Sequence, residues 1–267
     1  MLKVRVITTL LWKQFGLVKG VGFDSWRRVG PVLPAIKVYN QREVDELVLL
    51  DIVAHATGDE PDTESVDDFA ADCFVPLTVG GGITGIDQVQ RLLRAGADKV
   101  AVNTAAYANP GLISTIAQRH GSQCVVASID ARATTPGHWL CFSHAGQQAT
   151  GRTVRDWARE LEDPGAGEIL LTSIDRDGTM RGYDLGLIAE VAQAVRIPVI
   201  ASGGAGHYQH MVDAVRQAGA SAVAAASIFH YTEQTPAGAK AAMAAAGIPV
   251  RCGFMPAAGA RAAVLAA

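Results

Sequence analysis

Short apolar runs alternate along the chain with longer stretches in which apolar positions recur every three or four residues. Eight runs read as strands: residues 3–11, 46–52 ("ELVLLDI"), 75–79 ("VPLTV"), 98–103 ("DKVAVN"), 124–130 ("CVVASID"), 168–173 ("EILLTS"), 197–202 ("IPVIAS") and 221–225 ("SAVAA"). Most are apolar on both faces, the pattern of strands covered on both sides. The intervening stretches have helical spacing. "GIDQVQRLLRAG" places Ile86, Val89, Leu92 and Leu93 on one face, and "HYQHMVDAVRQAG" ends at Gly219, a suitable helix C-cap. Repeated strand–helix units imply an α/β protein with a parallel sheet. Eight units in 267 residues predict a (β/α)8 TIM barrel rather than an open doubly wound sheet. The barrel is expected to occupy residues 1–251 as one domain. The Ala-rich tail 252–267 is expected to fray or to form an extra surface helix.

The chain also repeats itself. "VPLTVGGGI" from Val75 answers "IPVIASGGAG" from Ile197, "RAGADKVAVN" answers "QAGASAVAAAS", and "ELVLLDI" from Glu46 answers "EILLTSI" from Glu168. Two similar half-barrels are therefore expected.

Composition narrows the function classes. Hydrophobic residues make up 49% and charged residues 18%, which supports a large buried core. With 23 Lys+Arg against 26 Asp+Glu there is no basic excess of the kind that marks a nucleic-acid binder. Cys73, Cys124, Cys141 and Cys252 lack metal-ligand spacing and read as reduced thiols of a cytoplasmic protein. No run approaches the length of a membrane span, and the N-terminal apolar run, broken by Lys13, reads as a first strand rather than a signal peptide. No metal cluster, nucleotide loop or redox motif is evident. His55, His207 and His210 are dispersed and read as ordinary surface or core residues. The expected cofactor complement is none.

Candidate chemistry lies at strand ends. Glycine lets backbone N–H groups approach phosphate oxygens, and a following helix N-terminus adds favourable partial charge. Gly80, Gly81 and Gly82 with Asn103 and Thr104 form one candidate phosphate site; Gly203, Gly204, Ala226 and Ser227 form its twin. Paired sites imply a long ligand with a phosphate at each end. Barrel active sites form at the C-terminal ends of the strands, where Asp51, Asp130, Asp175 and Asp177 fall. Asp130 ends an apolar strand, so partial burial would raise its pKa and suit it to proton transfer. Asp177, in "SIDRDGT", sits in a mobile-looking loop near the second phosphate site.

Taken together, "DELVLLDI", "PLTVGGGI", "LLRAGADKVAVN", "GSQCVVASIDAR", "GAGEILLTSIDRDGT", "GYDL", "IPVIASGGAG" and "GIPVR" closely resemble the cyclase subunit of imidazole glycerol phosphate synthase, over nearly the whole chain through Arg251. The resemblance implies a bisphosphate substrate across the barrel mouth and ammonia delivered through the barrel from a separate glutaminase subunit. It implies that Arg5, Glu46, Lys99 and Glu168 form a charged ring gating ammonia entry, and that Asp98 lies at the glutaminase interface. Each ring residue also lies at or just inside the start of a strand, opposite the candidate active site. Lys19 matches a loop lysine that closes over substrate, and Asp130 matches one of two catalytic aspartates. Asp177 is grouped with Asp130 as catalytic, and Asp51 and Thr172 with the substrate-binding residues.

The second catalytic aspartate of that family falls at Leu11, which cannot transfer a proton. A neighbouring branch also lacks it and carries an "LLxKxxGLVK"-like loop, as here in "LLWKQFGLVK". That branch resembles the barrel half of an ammonia-supplying pair serving sugar amidation in bacterial surface-polysaccharide synthesis. The reading favoured from sequence is therefore a glutaminase-paired barrel supplying ammonia to a sugar-amidating synthase. The alternative is the cyclase reaction itself, yielding imidazole glycerol phosphate. A phosphosugar isomerase and a non-catalytic scaffold stand behind both.

Overall fold

The structure is a computed structural model and describes residues 2–13, 16–54 and 58–251. His55, Cys252 and the Ala-rich tail lie outside the described residues. Eight parallel strands close a barrel: β1 (Arg5–Lys13), β4 (Glu46–Asp51), β5 (Leu77–Gly80), β6 (Lys99–Val102), β7 (Val125–Thr135), β10 (Glu168–Ser173), β11 (Val199–Ser202) and β12 (Ala222–Ala225). They pair in that order, and β12 returns to β1 with Arg5 opposite Ala222 and Ile7 opposite Ala224. All eight lie where the apolar runs predicted them, within a few residues at each end.

Two further hairpins were not foreseen. β1 continues beyond Leu11 and folds back into β2 (Gly16–Val21) and β3 (Asp24–Gly30), pairing Leu11 with Val18 and Trp12 with Leu17. The stretch read as a loop around Lys19 is thus a lid of antiparallel strands, because its apolar residues have cross-strand partners. β7 does the same, leading into β8 (His138–Ser143) and β9 (Gln148–Thr153). The hairpins begin each half-barrel, so the internal repeat includes them.

The helices pack outside. They are α1 (Val32–Gln41), α2 (Thr63–Ala71), α3 (Ile86–Arg94), α4 (Thr104–Ala108), α5 (Gly111–His120), α6 (Val154–Glu162), α7 (Leu185–Ala192), α8 (Tyr208–Arg216), α9 (Ser227–Tyr231) and α10 (Pro236–Ala245). α3 shows why they form: Val89 and Leu92 are buried on one face, and Arg91 and Arg94 lie in the last turn, where positive charge is favoured. α6 starts at Thr153, whose hydroxyl accepts from the Asp156 N–H, and buries Trp157 completely.

Inside the barrel the side chains form layers. The floor carries Arg5, Glu46, Lys99 and Glu168. Above it Ile7, Val48, Ala101, Val126, Leu170, Ile200, Ala222 and Ala224 form a separate apolar cluster. Thr9, Leu11, Ser128, Asp130, Thr172 and Ser202 face the mouth. At the base, Lys240 of α10 reaches buried Asp45 at 3.2 Å, and the other carboxylate oxygen accepts from the Val6 N–H at 2.8 Å. This tethers the last helix to the first strand. Among the described residues, no helix is long and apolar enough to cross a membrane.

Candidate functional site

The C-terminal ends of the strands enclose a cavity of about 810 Å³. Glycine-bearing turns flank it at equivalent places in the two halves. Gly81 has φ +106°, and a Cβ there would lie 2.1 Å from the Asp51 carbonyl oxygen; Gly204 has φ +107°, with a Cβ 2.3 Å from the Gly182 oxygen. Only glycine fits such an approach. Gly81, Gly82, Asn103 and Thr104 line one side of the cavity, and Gly203, Gly204, Ala226 and Ser227 line the other. α4 and α9 begin at Thr104 and Ser227, and neither N-terminus is capped by a side chain. Gly80 departs from the sequence reading. It lies within β5 and does not line the cavity; a Cβ there would meet Ala101 and Leu50 below 3 Å, so its glycine serves close strand packing.

Asp130 stands on the cavity wall at β7 and is largely buried. Burial, with the nearby Asp177 charge adding to it, raises its pKa to about 7, against a lowering by the hydrogen bond from Asn103 Nδ2 at 2.7 Å. It is thus poised to exchange a proton near neutrality. Asn103 Oδ1 is buried with no partner among the described residues.

Asp177 lies in a fixed, buried place rather than a mobile loop. Its carboxylate takes a 2.6 Å hydrogen-bonded ion pair from Lys19, which is only 2% exposed, and its backbone oxygen accepts from the Gly22 N–H at 2.9 Å. Burial raises the Asp177 pKa, and Lys19 works against that rise. Lys19 and Gly22 both belong to the lid hairpin and its tip, so the hairpin is latched over the mouth from β10's loop. Asp175 is not part of the site. It is half exposed, pairs with Arg132 at 3.5 Å and accepts from the Ala133 N–H.

Asp51 and Thr172 both line the cavity. Asp51 Oδ1 accepts from the N–H groups of Val53 and Ala54, at 2.9 and 3.0 Å, and so shapes the turn after β4. Leu11 also faces the cavity, so strand one presents methyl groups there. His207 caps α8 at Gln209 N, and His210 accepts from the Gly206 N–H.

The floor ring is closed. Arg5 lies 2.8 Å from Glu46 and 2.9 Å from Glu168; Lys99 lies 3.1 Å from Glu46 and 3.3 Å from Glu168. Burial pulls the Arg5 pKa down, but the two glutamates outweigh it and the net shift is upward. Asp98, beside this ring in sequence, fixes the start of β5 by accepting from the Leu77 N–H at 2.8 Å. Leu2 and Phe74, before β1 and β5, are 90% and 80% exposed on the same end of the barrel.

The sequence reading missed the wall residues supplied by the hairpins and by α4: Phe23, Trp26, Tyr107, His144 and Arg152. The signal was there in part, since "TTPGHW" carries a Pro-Gly turn between two strand-like runs. Among the described residues, no group of three His, Cys, Asp or Glu side chains is placed to hold a metal ion.

A repeated (β/α)8 barrel, with matched glycine turns and a buried carboxylate at its mouth and a closed ion-pair ring at its base, defines a two-ended α/β barrel. The chain belongs to the histidine biosynthesis protein family, whose model matches residues 6–235. It is 51% identical over 251 residues to the imidazole glycerol phosphate synthase subunit HisF of Hyphomonas neptunium, spanning 94% of this chain and 99% of that protein.

Proposed function

We propose that this chain is the synthase subunit of a glutamine amidotransferase pair. A glutaminase docks on the floor and releases ammonia beneath the ring of Arg5, Glu46, Lys99 and Glu168. Ammonia crosses the apolar layer to a phosphorylated acceptor held between the two glycine turns, and Asp130 moves the proton. One observation carries this reading: the ion-pair ring, the apolar layer and Asp130 follow one another from floor to mouth inside one barrel. An apolar layer admits neutral ammonia and rejects ammonium, whose charge would be costly to desolvate. Leu2 and Phe74, both exposed beside the ring, supply apolar contact for the partner.

For the acceptor we adopt imidazole glycerol phosphate formation, which the name of the relative supports. Leu11 favours a second reading, in which the barrel supplies ammonia to amidate a bacterial surface sugar through a separate sugar-amidating synthase. Loss of one of two acid/base groups costs on the order of 10²–10⁴-fold in rate. Under the first reading, the protein with ammonium and the histidine-pathway bisphosphate forms imidazole glycerol phosphate slowly, and Leu11→Asp speeds it within that range. If neither protein forms product, cyclisation falls and the sugar reading stands.

A further inference from the structure

The two glycine turns are alike in backbone but not in the charges around them. Beside the second turn, Arg176 comes so close that a Cβ on Gly204 would lie 3.0 Å from its own Cβ, and Gly182, next to Arg181, donates its N–H to the Gly204 oxygen at 2.8 Å. Arg27 of the lid lies 5.0 Å over the ring of Tyr231, which ends the helix begun at Ser227. All three arginines are exposed, and among the described residues none has an ion-pair partner. The carboxylates of the β10 loop are already paired, Asp177 with Lys19 and Asp175 with Arg132, which leaves Asp24 and Glu233 as the exposed acids on this side.

The first turn has the opposite setting. Gly81 abuts the Asp51 backbone and Gly82 that of Asp59, whose oxygen a Cβ would meet at 3.0 Å, and both aspartates line the cavity. Asp62 follows as the exposed cap of α2. Arg91 and Arg152, the arginines on this side, are paired with Glu60 and Glu160.

Arg27, Arg176 and Arg181 do not line the cavity, so they act on an approaching ligand through their field rather than by contact. Exposed charges work over a Debye length of about 8 Å at physiological ionic strength, and a low-dielectric cleft focuses their field. A phosphate dianion nearing the mouth is therefore drawn to the second turn and repelled from the first.

We propose that Arg27, Arg176 and Arg181 form a steering rim that makes the second glycine turn the anchoring phosphate site, so that the bisphosphate acceptor enters by that end and the first turn fills afterwards. This rests on the reading that both turns hold phosphate, and it adds the order in which they fill.

Titration of the full chain with inorganic phosphate, followed through the backbone amide resonances of Gly81, Gly82, Gly203 and Gly204, tests it site by site. At low salt the Gly203 and Gly204 amides are expected to saturate at a phosphate concentration about tenfold lower than those of Gly81 and Gly82. Raising sodium chloride to about 0.3 M, or combining Arg176→Gln with Arg181→Gln, is expected to shrink that ratio to within about threefold. Asp59→Asn is expected to narrow it from the other side, by tightening the first turn. Equal saturation of the two turns at low salt, or a preference unmoved by salt and by the double variant, overturns the steering rim and leaves the phosphate sites standing. No saturable shift at either turn overturns the phosphate reading as well.

Discussion

At the scale of single residues, Asp130 carries the most consequential electrostatics. Its folded pKa of about 7 exceeds the ordinary carboxylate value, so the native state binds a proton that the unfolded state releases. The cost of burying its charge is absent below about pH 4, grows as pH rises, and is complete above about pH 7. At about 1.4 kcal/mol per pH unit, the part developed between pH 5 and pH 7 is roughly 3 kcal/mol. Asp130→Asn removes a charge but keeps an oxygen to accept from Asn103. The variant is therefore expected to be more stable than the parent at pH 8, with the advantage shrinking towards pH 5. Denaturant unfolding at the two pH values measures this, and a pH-independent difference would count against a buried, proton-sharing carboxylate. Under the proposed function the same variant loses on the order of 10²–10⁴-fold in ammonia-dependent rate.

At the scale of elements, the two hairpins decide how the mouth is shaped. Gly178 has φ +73°, and a Cβ there would sit 2.2 Å from the Gly20 carbonyl oxygen. Gly178→Ala is expected to lift the lid off β10's loop and break the Lys19–Asp177 pair while leaving the barrel closed. Limited proteolysis within residues 16–30 would then accelerate, with little change in the main unfolding transition. Unchanged cleavage would mean that the lid does not depend on this contact. The second hairpin is held differently. Asp184 accepts from Trp139 Nε1 at 2.9 Å and from the Leu187 N–H at 3.1 Å, joining β8 to the N-terminus of α7. Asp184→Ala removes a helix cap and strands a partly buried indole N–H, and is expected to cost about 1–3 kcal/mol in chemical denaturation.

These hairpins also show where the sequence was hard to read. Barrel strands announce themselves because both faces are buried, so runs such as "ELVLLDI" are apolar throughout. A lid strand such as Gly16–Val21 has one glycine-rich edge and a buried lysine, and its partner Asp24–Gly30 is mostly exposed and polar. That pattern reads as a loop until the pairing is seen. Asp130 and both glycine turns were legible because they sit at the ends of obvious strands. Phe23, Tyr107, His144 and Arg152 were not, because hairpins and a five-residue helix bring them to the mouth.

At the scale of the whole molecule, the barrel has two ends with opposite character, joined by an apolar layer. The floor ring has two cations and two anions, each pairing with both of its opposites, so removing any one leaves a partly buried charge short of a partner. Lys99→Ala frees one side of Glu46 and Glu168 and opens the floor without touching the cavity at the mouth. Under the proposed function, ammonia released by a bound glutaminase passes this ring, whereas ammonium added in bulk supplies ammonia through the open mouth as well. Lys99→Ala is therefore expected to change the glutamine-driven rate of the paired enzyme by severalfold and leave the rate at saturating ammonium within twofold of the parent. The two rates, measured on the same preparation, separate passage from chemistry. If both fall together, the ring only supports the fold and its role as a gate falls.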